Sequence, residues 1–191
     1  METGMKIKTA PVGFLGTCCY IVSMDDRDDC AVIDPGADPE RIRRETDGRK
    51  IAAILLTHGH FDHIMAADAL MEDGTKLYIH RDDAEMLSDA RKNAGHMIGR
   101  DVQVSAVPTG VTDGMTVSAA GIDFQVIHTP GHTRGSCCYR AGGELFTGDT
   151  LFRMGYGRTD LYGGNAAQLQ QSLDRLMKLE GVRAIYPGHD D

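Results

Sequence analysis

The chain has 191 residues, of which 41% are apolar and 25% charged; these ordinary globular values exclude a disordered or fibrous class and suit one domain over residues 1–191. A net charge of −8 argues against a nucleic-acid partner, because Lys and Arg contacts dominate that kind of binding, and leaves a small molecule as the expected partner. No apolar run reaches the roughly 18 residues that span a bilayer, and Met1 to Ala10 has no apolar core of the secretory kind, so the expected place is the cytoplasm, with no membrane partner and the oligomeric state left open.

In chain order, Phe14 to Ser23 reads as a strand joined through the acidic turn Asp25–Asp29 to a second strand, Cys30 to Asp34. Asp38-Pro39 starts a short helix closed by Gly48, with Asp38 as cap and Pro39 at the first helical position. The apolar run Ile51 to Leu56 is a third strand. It leads into Thr57-His58-Gly59-His60-Phe61-Asp62-His63, which packs four side chains able to bind a metal into six positions.

A helix is expected from near Asp62 to Gly74, then a strand over Lys76–His80 and a helix from Asp82 to about Ala90. His80 reads as a packed or surface histidine, and the polar stretch Arg91 to Arg100 as an ordinary surface loop. From Val102 to Tyr139, short β-type segments alternate with turns, as in a meander. Asn165 caps a helix whose Leu169, Leu173, Leu176 and Met177 recur at helical spacing and read as core, with Gly181 ending it. The five cysteines have no C-x-x-C spacing; in the pairs Cys18-Cys19 and Cys137-Cys138 one thiol each is expected to be buried, and no disulfide is expected.

The pattern of an apolar strand running into a metal-binding side chain occurs four times: at His58, at His132 after Ile122–Ile127, at Asp149 after Glu144–Gly148, and at His189 after Val182–Tyr186. Folding can bring these strand ends together at one edge of a sheet sandwich. His58, His60, Asp62, His63, His132, Asp149 and His189 exceed what one tetrahedral ion takes, so two neighbouring metals sharing a carboxylate are expected, with Asp149 as the bridge. Imidazole and carboxylate donors suit zinc, iron or manganese better than calcium or magnesium. Two divalent transition metals would hold a hydroxide nucleophile at neutral pH, and the expected reaction class is hydrolysis, with Asp62 and Asp149 in the chemistry. Asp34, at a strand end, is a plausible acceptor for the second N–H of a ligand imidazole.

The motifs THGHFDH, HTPGHTRGS, FTGDTLF and YPGH, over nearly the whole chain, resemble the metal motifs of the metallo-β-lactamase superfamily. That resemblance implies an α/β fold, a four-layered αβ/βα sandwich, with His58, His60 and His132 on one metal, Asp62, His63 and His189 on the other, and Asp149 between them. The best-known zinc lactamases have Cys where Asp149 stands, which disfavours a β-lactam substrate. Within the superfamily the chain is most similar to glyoxalase II, the hydroxyacylglutathione hydrolases, through G-D-T-L-F followed by Gly155-Tyr156-Gly157-Arg158. The resemblance implies hydrolysis of a thioester such as S-lactoylglutathione, with Arg158 on the glutathione and Tyr156 and Arg153 as further substrate-side candidates; a salt bridge from Arg158 to Asp160 is the structural alternative. Glyoxalase II carries a C-terminal helical domain, whereas this chain stops two residues after His189 and looks more like the compact bacterial glyoxalase II-like hydrolases. Persulfide dioxygenases, with one iron at positions matching His58, His132 and Asp149, are the rival enzyme class. A non-catalytic metal-binding or electron-transfer domain is the non-enzyme alternative.

Overall fold

In the computed structural model, which describes residues 4–190, strand β2 (Thr17–Met24) is buried on both faces. Successive strand residues point to opposite sides, and both sides of this strand are covered. Cys18, Tyr20 and Val22 face a core shared with the second sheet, whereas Cys19 and Ile21 face a core shared with helices. Cys137 and Cys138 divide in the same way. All five thiols are therefore buried and free, which corrects the expectation of one buried thiol per pair.

The first sheet has the order β1 (Met5–Val12), β2, β3 (Asp29–Ile33), β4 (Lys50–Leu55), β5 (Lys76–His80) and β6 (Thr109–Val111). Its outer face is packed by α1 (Pro39–Glu45), α2 (Phe61–Ile64) and α3 (Ala67–Leu70) through Ile42, Ile64, Ala67 and Leu70. The second sheet runs β13 (Ala184–Pro187), β10 (Glu144–Gly148), β9 (Cys137–Ala141), β8 (Ile122–His128) and β7 (Thr116–Ala119). It is covered by α4 (Ala166–Leu176) through Leu176 packed near Ile127, Cys138 and Leu145. Phe124, Tyr139 and Phe146 from this sheet meet Tyr20, Ile33 and Leu55 from the first between the layers. The order is helix, sheet, sheet, helix. A ribbon of β11 (Leu151–Phe152) and β12 (Gly155–Tyr156) follows β10.

Several sequence expectations shift. Strand β1 is an edge strand with only part of one face buried, so Lys6 and Lys8 hide it from a hydrophobic reading. The segment Phe14 to Gly16 is the tip of the β1–β2 hairpin rather than strand, closed by the Gly16 N–H donating to the Gly13 carbonyl at 3.3 Å. The helix expected from Asp62 to Gly74 is broken in two, because the Ala66 N–H donates to the Pro35 carbonyl at 2.9 Å instead of continuing the helical ladder. Residues Arg81–Ser88 form a 3-10 helix, and β6 joins β5 in parallel instead of belonging to the meander. Met177 is 78% exposed, so the core stripe of α4 ends at Leu176. Asn165 caps that helix by accepting the Gln168 N–H at 3.0 Å.

Candidate metal centre

The ends of β4, β8, β10 and β13 deliver the seven histidine and aspartate side chains to one place. His58, His60 and His132 form one group and Asp62, His63 and His189 another, each with potential ligand atoms within 4.8 Å of one another. Asp149 lies between them: Oδ1 is 3.3 Å from His63 Nε2, while Oδ2 is 3.5 Å from His132 Nε2 and 3.6 Å from His189 Nε2. The two groups touch directly through the His58 and His63 rings, whose centroids are 4.2 Å apart.

For most of these imidazoles, one nitrogen is held by the surroundings and the other aims inward. His63 Nδ1 donates to Asp34 Oδ2 at 2.9 Å, His132 Nδ1 to the Arg158 carbonyl at 2.7 Å and His189 Nδ1 to the Leu15 carbonyl at 3.3 Å. His60 turns Nδ1 toward His132 Nε2, only 2.9 Å away. Buried and without a hydrogen-bond partner stand His58 Nε2, His63 Nε2 and Asp149 Oδ1, along with the outer Nε2 of His60. Leaving a buried polar atom unsatisfied costs about 1–3 kcal/mol, so several together at one point fit a cation that takes their lone pairs. The donor set, imidazoles with two carboxylates, is that of a transition metal.

The electrostatics differ between the two groups, and in the first they agree with ligation. Burial, reinforced by the neighbouring imidazoles, holds His58 well below the usual histidine range and pulls His60 down to about 3, so both are neutral with free lone pairs at pH 7. Burial also opposes charge on His63, but Asp62, Asp149 and Asp34 outweigh it and raise its pKa well above the ordinary value. Asp62 and Asp149 remain ionised: burial pushes each up, and the imidazoles around them, His63 foremost, pull each below the usual carboxylate range.

Local sequence explains the tight fit. A side chain at Gly188 would collide with Asp149 Oδ1 and His63, and one at Gly157 would collide with the Asp149 backbone and come within 2.9 Å of His132 Nδ1. The glycines of Y-P-G-H and G-Y-G therefore keep space for the histidines. Asp34 supports the cluster from behind, accepting the Thr57 N–H at 2.7 Å, the Thr57 hydroxyl at 2.6 Å and the His63 N–H.

Two supporting residues carry no sequence signal. Thr17 donates its hydroxyl to Asp62 Oδ2 at 3.1 Å. Asp83, fully buried, accepts the Gly59 N–H at 3.0 Å, the Gly135 N–H at 2.6 Å and the Thr133 hydroxyl at 2.6 Å, tying the His58–His60 loop to the loop after His132. Replacing Asp83 with Ala strands two buried N–H donors, and a loss of about 3–5 kcal/mol in urea unfolding is expected, with weaker metal binding. Wild-type stability in that variant would show the two loops to be held by other contacts.

Of the substrate-side candidates, Arg158 alone lines the cleft over the histidines. Its guanidinium is paired with Asp160 through Nε at 2.6 Å and Nη2 at 2.7 Å. Arg153 instead lies 3.4 Å from Asp190, and Tyr156 is exposed on the β11–β12 ribbon; the structure brings neither to the cleft wall. Arg158→Ala is therefore expected to change kcat/KM by less than roughly fivefold, alike for anionic and neutral substrates. A large KM rise confined to anionic substrates would show that Arg158 leaves Asp160 to hold substrate.

His80, Asp82 and His128 form a further group. The His80 and His128 rings stack at 3.9 Å and 9°, so their in-plane lone pairs run parallel rather than converging, and the pair joins the ends of β5 and β8 as a packing contact. The Arg91–Arg100 loop reaches the cleft through Ala94, Met97 and Ile98. It is anchored by buried Asn93, which donates to the Met86 and Val102 carbonyls and accepts the Gly95 N–H, all at 2.9 Å.

A two-sheet sandwich with helices outside and a histidine–aspartate cluster at the strand ends defines a class of metal-binding α/β proteins. The chain belongs to the metallo-beta-lactamase superfamily, whose family model matches residues 12–189. It is 34% identical over 193 residues to a probable metallo-hydrolase of Bacillus subtilis, spanning 97% of this chain and 90% of the relative. It is 36% identical over 171 residues to a hydroxyacylglutathione hydrolase of Xanthomonas campestris, spanning 89% of this chain but 59% of that enzyme. Among solved structures, the BLEG-1 B3 metallo-beta-lactamase superposes with a TM-score of 0.87 at 32% identity, covering 97% of this chain and 92% of the other. The protein TTHA1623 in a di-iron-bound form gives 0.84 at 33% identity over 96% and 92%, and ETHE1 from Myxococcus xanthus 0.76 at 30% over 97% and 76%.

Proposed function

We propose that this protein is a metal-dependent hydrolase that acts on a thioester with two divalent transition metals, zinc, iron or manganese, in the histidine–aspartate cluster. The observation that carries this reading is the meeting of two three-residue groups across Asp149, with partnerless buried atoms among them and an open cleft of about 440 Å³ lined by His60, Asp62, His132, Asp149 and His189. In this reading His58, His60 and His132 would hold one metal and Asp62, His63 and His189 the second, with Asp149 placed to serve both. When bound, the metals supply Lewis acidity toward the carbonyl oxygen and lower the pKa of water.

The residues of the chain do the rest. Asp34 and the backbone carbonyls of Arg158 and Leu15 fix the ring orientation of His63, His132 and His189. Thr17 orients Asp62. Asp62 and Asp149, kept ionised by the surrounding imidazoles, are the groups available to take the proton of the attacking water. The open cleft supports an enzyme over an inert metal scaffold, because a structural site closes its shell with protein.

The likeness to a hydroxyacylglutathione hydrolase makes S-lactoylglutathione the first thioester to try. The test loads the purified protein with each metal and follows thiol release from S-lactoylglutathione and from S-acetyl-N-acetylcysteamine. Turnover at two metals per chain supports the proposal. The likeness to ETHE1 favours a second reading, a sulfur dioxygenase, and oxygen uptake with glutathione persulfide at one iron per chain would move the assignment there. A β-lactam belongs in the same panel because of the likeness to BLEG-1, and ring opening without thioester cleavage would overturn the thioester reading.

A further inference from the structure

The cleft over the histidines has two unlike surfaces. Its floor is made by His60, Asp62, His132, Asp149 and His189, and its wall and rim by Phe14, Leu15, Phe61, Met97, Ile98 and Leu161. Three of the rim residues are large apolar side chains open to solvent: Phe14 is 70% exposed, Leu15 48% and Met97 58%. A cluster of exposed apolar groups beside a reacting centre points to a ligand that covers it.

This wall is built rather than incidental. Phe14 stacks on Phe61 with ring centroids 6.4 Å apart and an interplanar angle of 19°. The hairpin tip that carries Phe14 and Leu15 is tied to the floor, since the Leu15 carbonyl accepts the His189 N–H. On the other side, the three hydrogen bonds of Asn93 hold the turn that presents Met97 and Ile98.

The charge pattern complements the apolar wall. Among the described residues, Arg158 is the single Lys or Arg lining the cleft, and the Nε–Nη2 edge of its guanidinium is paired with Asp160. A thiol with two carboxylates, such as glutathione, meets on this surface one cation, already paired with a carboxylate, whereas a neutral hydrocarbon group meets a prepared apolar wall. Resting on the thioester-hydrolase reading, we propose that the substrate is a thioester carrying an apolar group of several carbons, which packs against Phe14, Phe61, Met97 and Leu161 while its carbonyl lies over the histidine–aspartate floor.

The experiment compares S-acetyl- and S-hexanoyl-N-acetylcysteamine, S-hexyl thioacetate and S-lactoylglutathione with the metal-loaded protein. A buried methylene is worth about fourfold, so the four extra methylenes of hexanoyl should raise kcat/KM over acetyl by at least roughly 20-fold. The ratio of hexanoyl to acetyl should collapse toward unity in Phe14→Ser and Met97→Ser and stay unchanged in Met177→Ser, which alters an exposed apolar residue of another surface. Preference for S-hexyl thioacetate would equally support the proposal and place the apolar group on the thiol half.

Binding is read separately by titrating S-ethyl- and S-hexyl-N-acetylcysteamine, thioethers that cannot be hydrolysed; the hexyl compound should bind at least about tenfold tighter, with a more negative heat-capacity change. Equal turnover and equal binding across chain lengths, or S-lactoylglutathione exceeding both neutral thioesters, would overturn the inference. If no thioester is cleaved, the thioester reading itself fails, and the thioether titration still reports whether the wall takes hydrocarbon.

Discussion

Asp149→Asn is expected to reduce turnover by at least about a thousandfold, equivalent to roughly 4 kcal/mol of activation barrier, while the fold survives. The carboxylate faces His63 through Oδ1 and His132 and His189 through Oδ2, so it is placed against both ligand groups. Asparagine matches its shape but removes the charge and puts an NH2 group where one oxygen stood, repelling a cation and losing the attraction to His63. Metal content by mass spectrometry, circular dichroism and kcat/KM should be measured on one preparation. Retention of two metals per chain with wild-type turnover would remove the bridging role from Asp149.

The second large effect is expected from chelation. A metal present at about 1,000 times its dissociation constant stabilises the folded state by about 4 kcal/mol, which for a chain of this size corresponds to a melting temperature higher by roughly 8–16 °C. Stripping with EDTA should remove that increment, and zinc, iron(II) or manganese(II) should restore it. The stripped protein should also weaken as acid is added. His60 is held down to about 3 in the fold, so below the ordinary histidine pKa the unfolded chain takes up a proton that the folded chain refuses. This contribution is complete above pH 6.5 and is lost as pH falls toward 3. An unchanged melting temperature after chelation, with metal shown to be absent, would mean that the clusters are satisfied without an ion.

The division of the site into metal and substrate sides follows from different chemistry. Ligation demands particular residue types, and the strand-to-turn pattern repeats with His or Asp at each end, so the metal-binding candidates stand out in the one-dimensional string. Recognition of an apolar group demands only that Phe14, Leu15, Met97 and Leu161 be neighbours. Nothing in a hairpin turn, a polar loop and a stretch after β12 announces that they share a wall.

The amino-acid sequence by itself determined the seven candidate ligands and the strands that lead into them, because hydrophobic periodicity and metal-donor identity are local properties of the chain, while the superfamily and its layered α/β class were implied by the resemblance of its motifs. It also marked Asp34 as a neighbour of the cluster. Tertiary structure alone decided which side chains support and surround these. The Asp83 carboxylate binds Gly59, Thr133 and Gly135, residues 24, 50 and 52 positions away, and the Ala66 N–H is captured by Pro35 and so breaks a helix whose periodicity would have run on. Tertiary packing covered both faces of β2, β3 and β9, burying every cysteine. These outcomes depend on energies gained between distant segments, which local propensity does not carry.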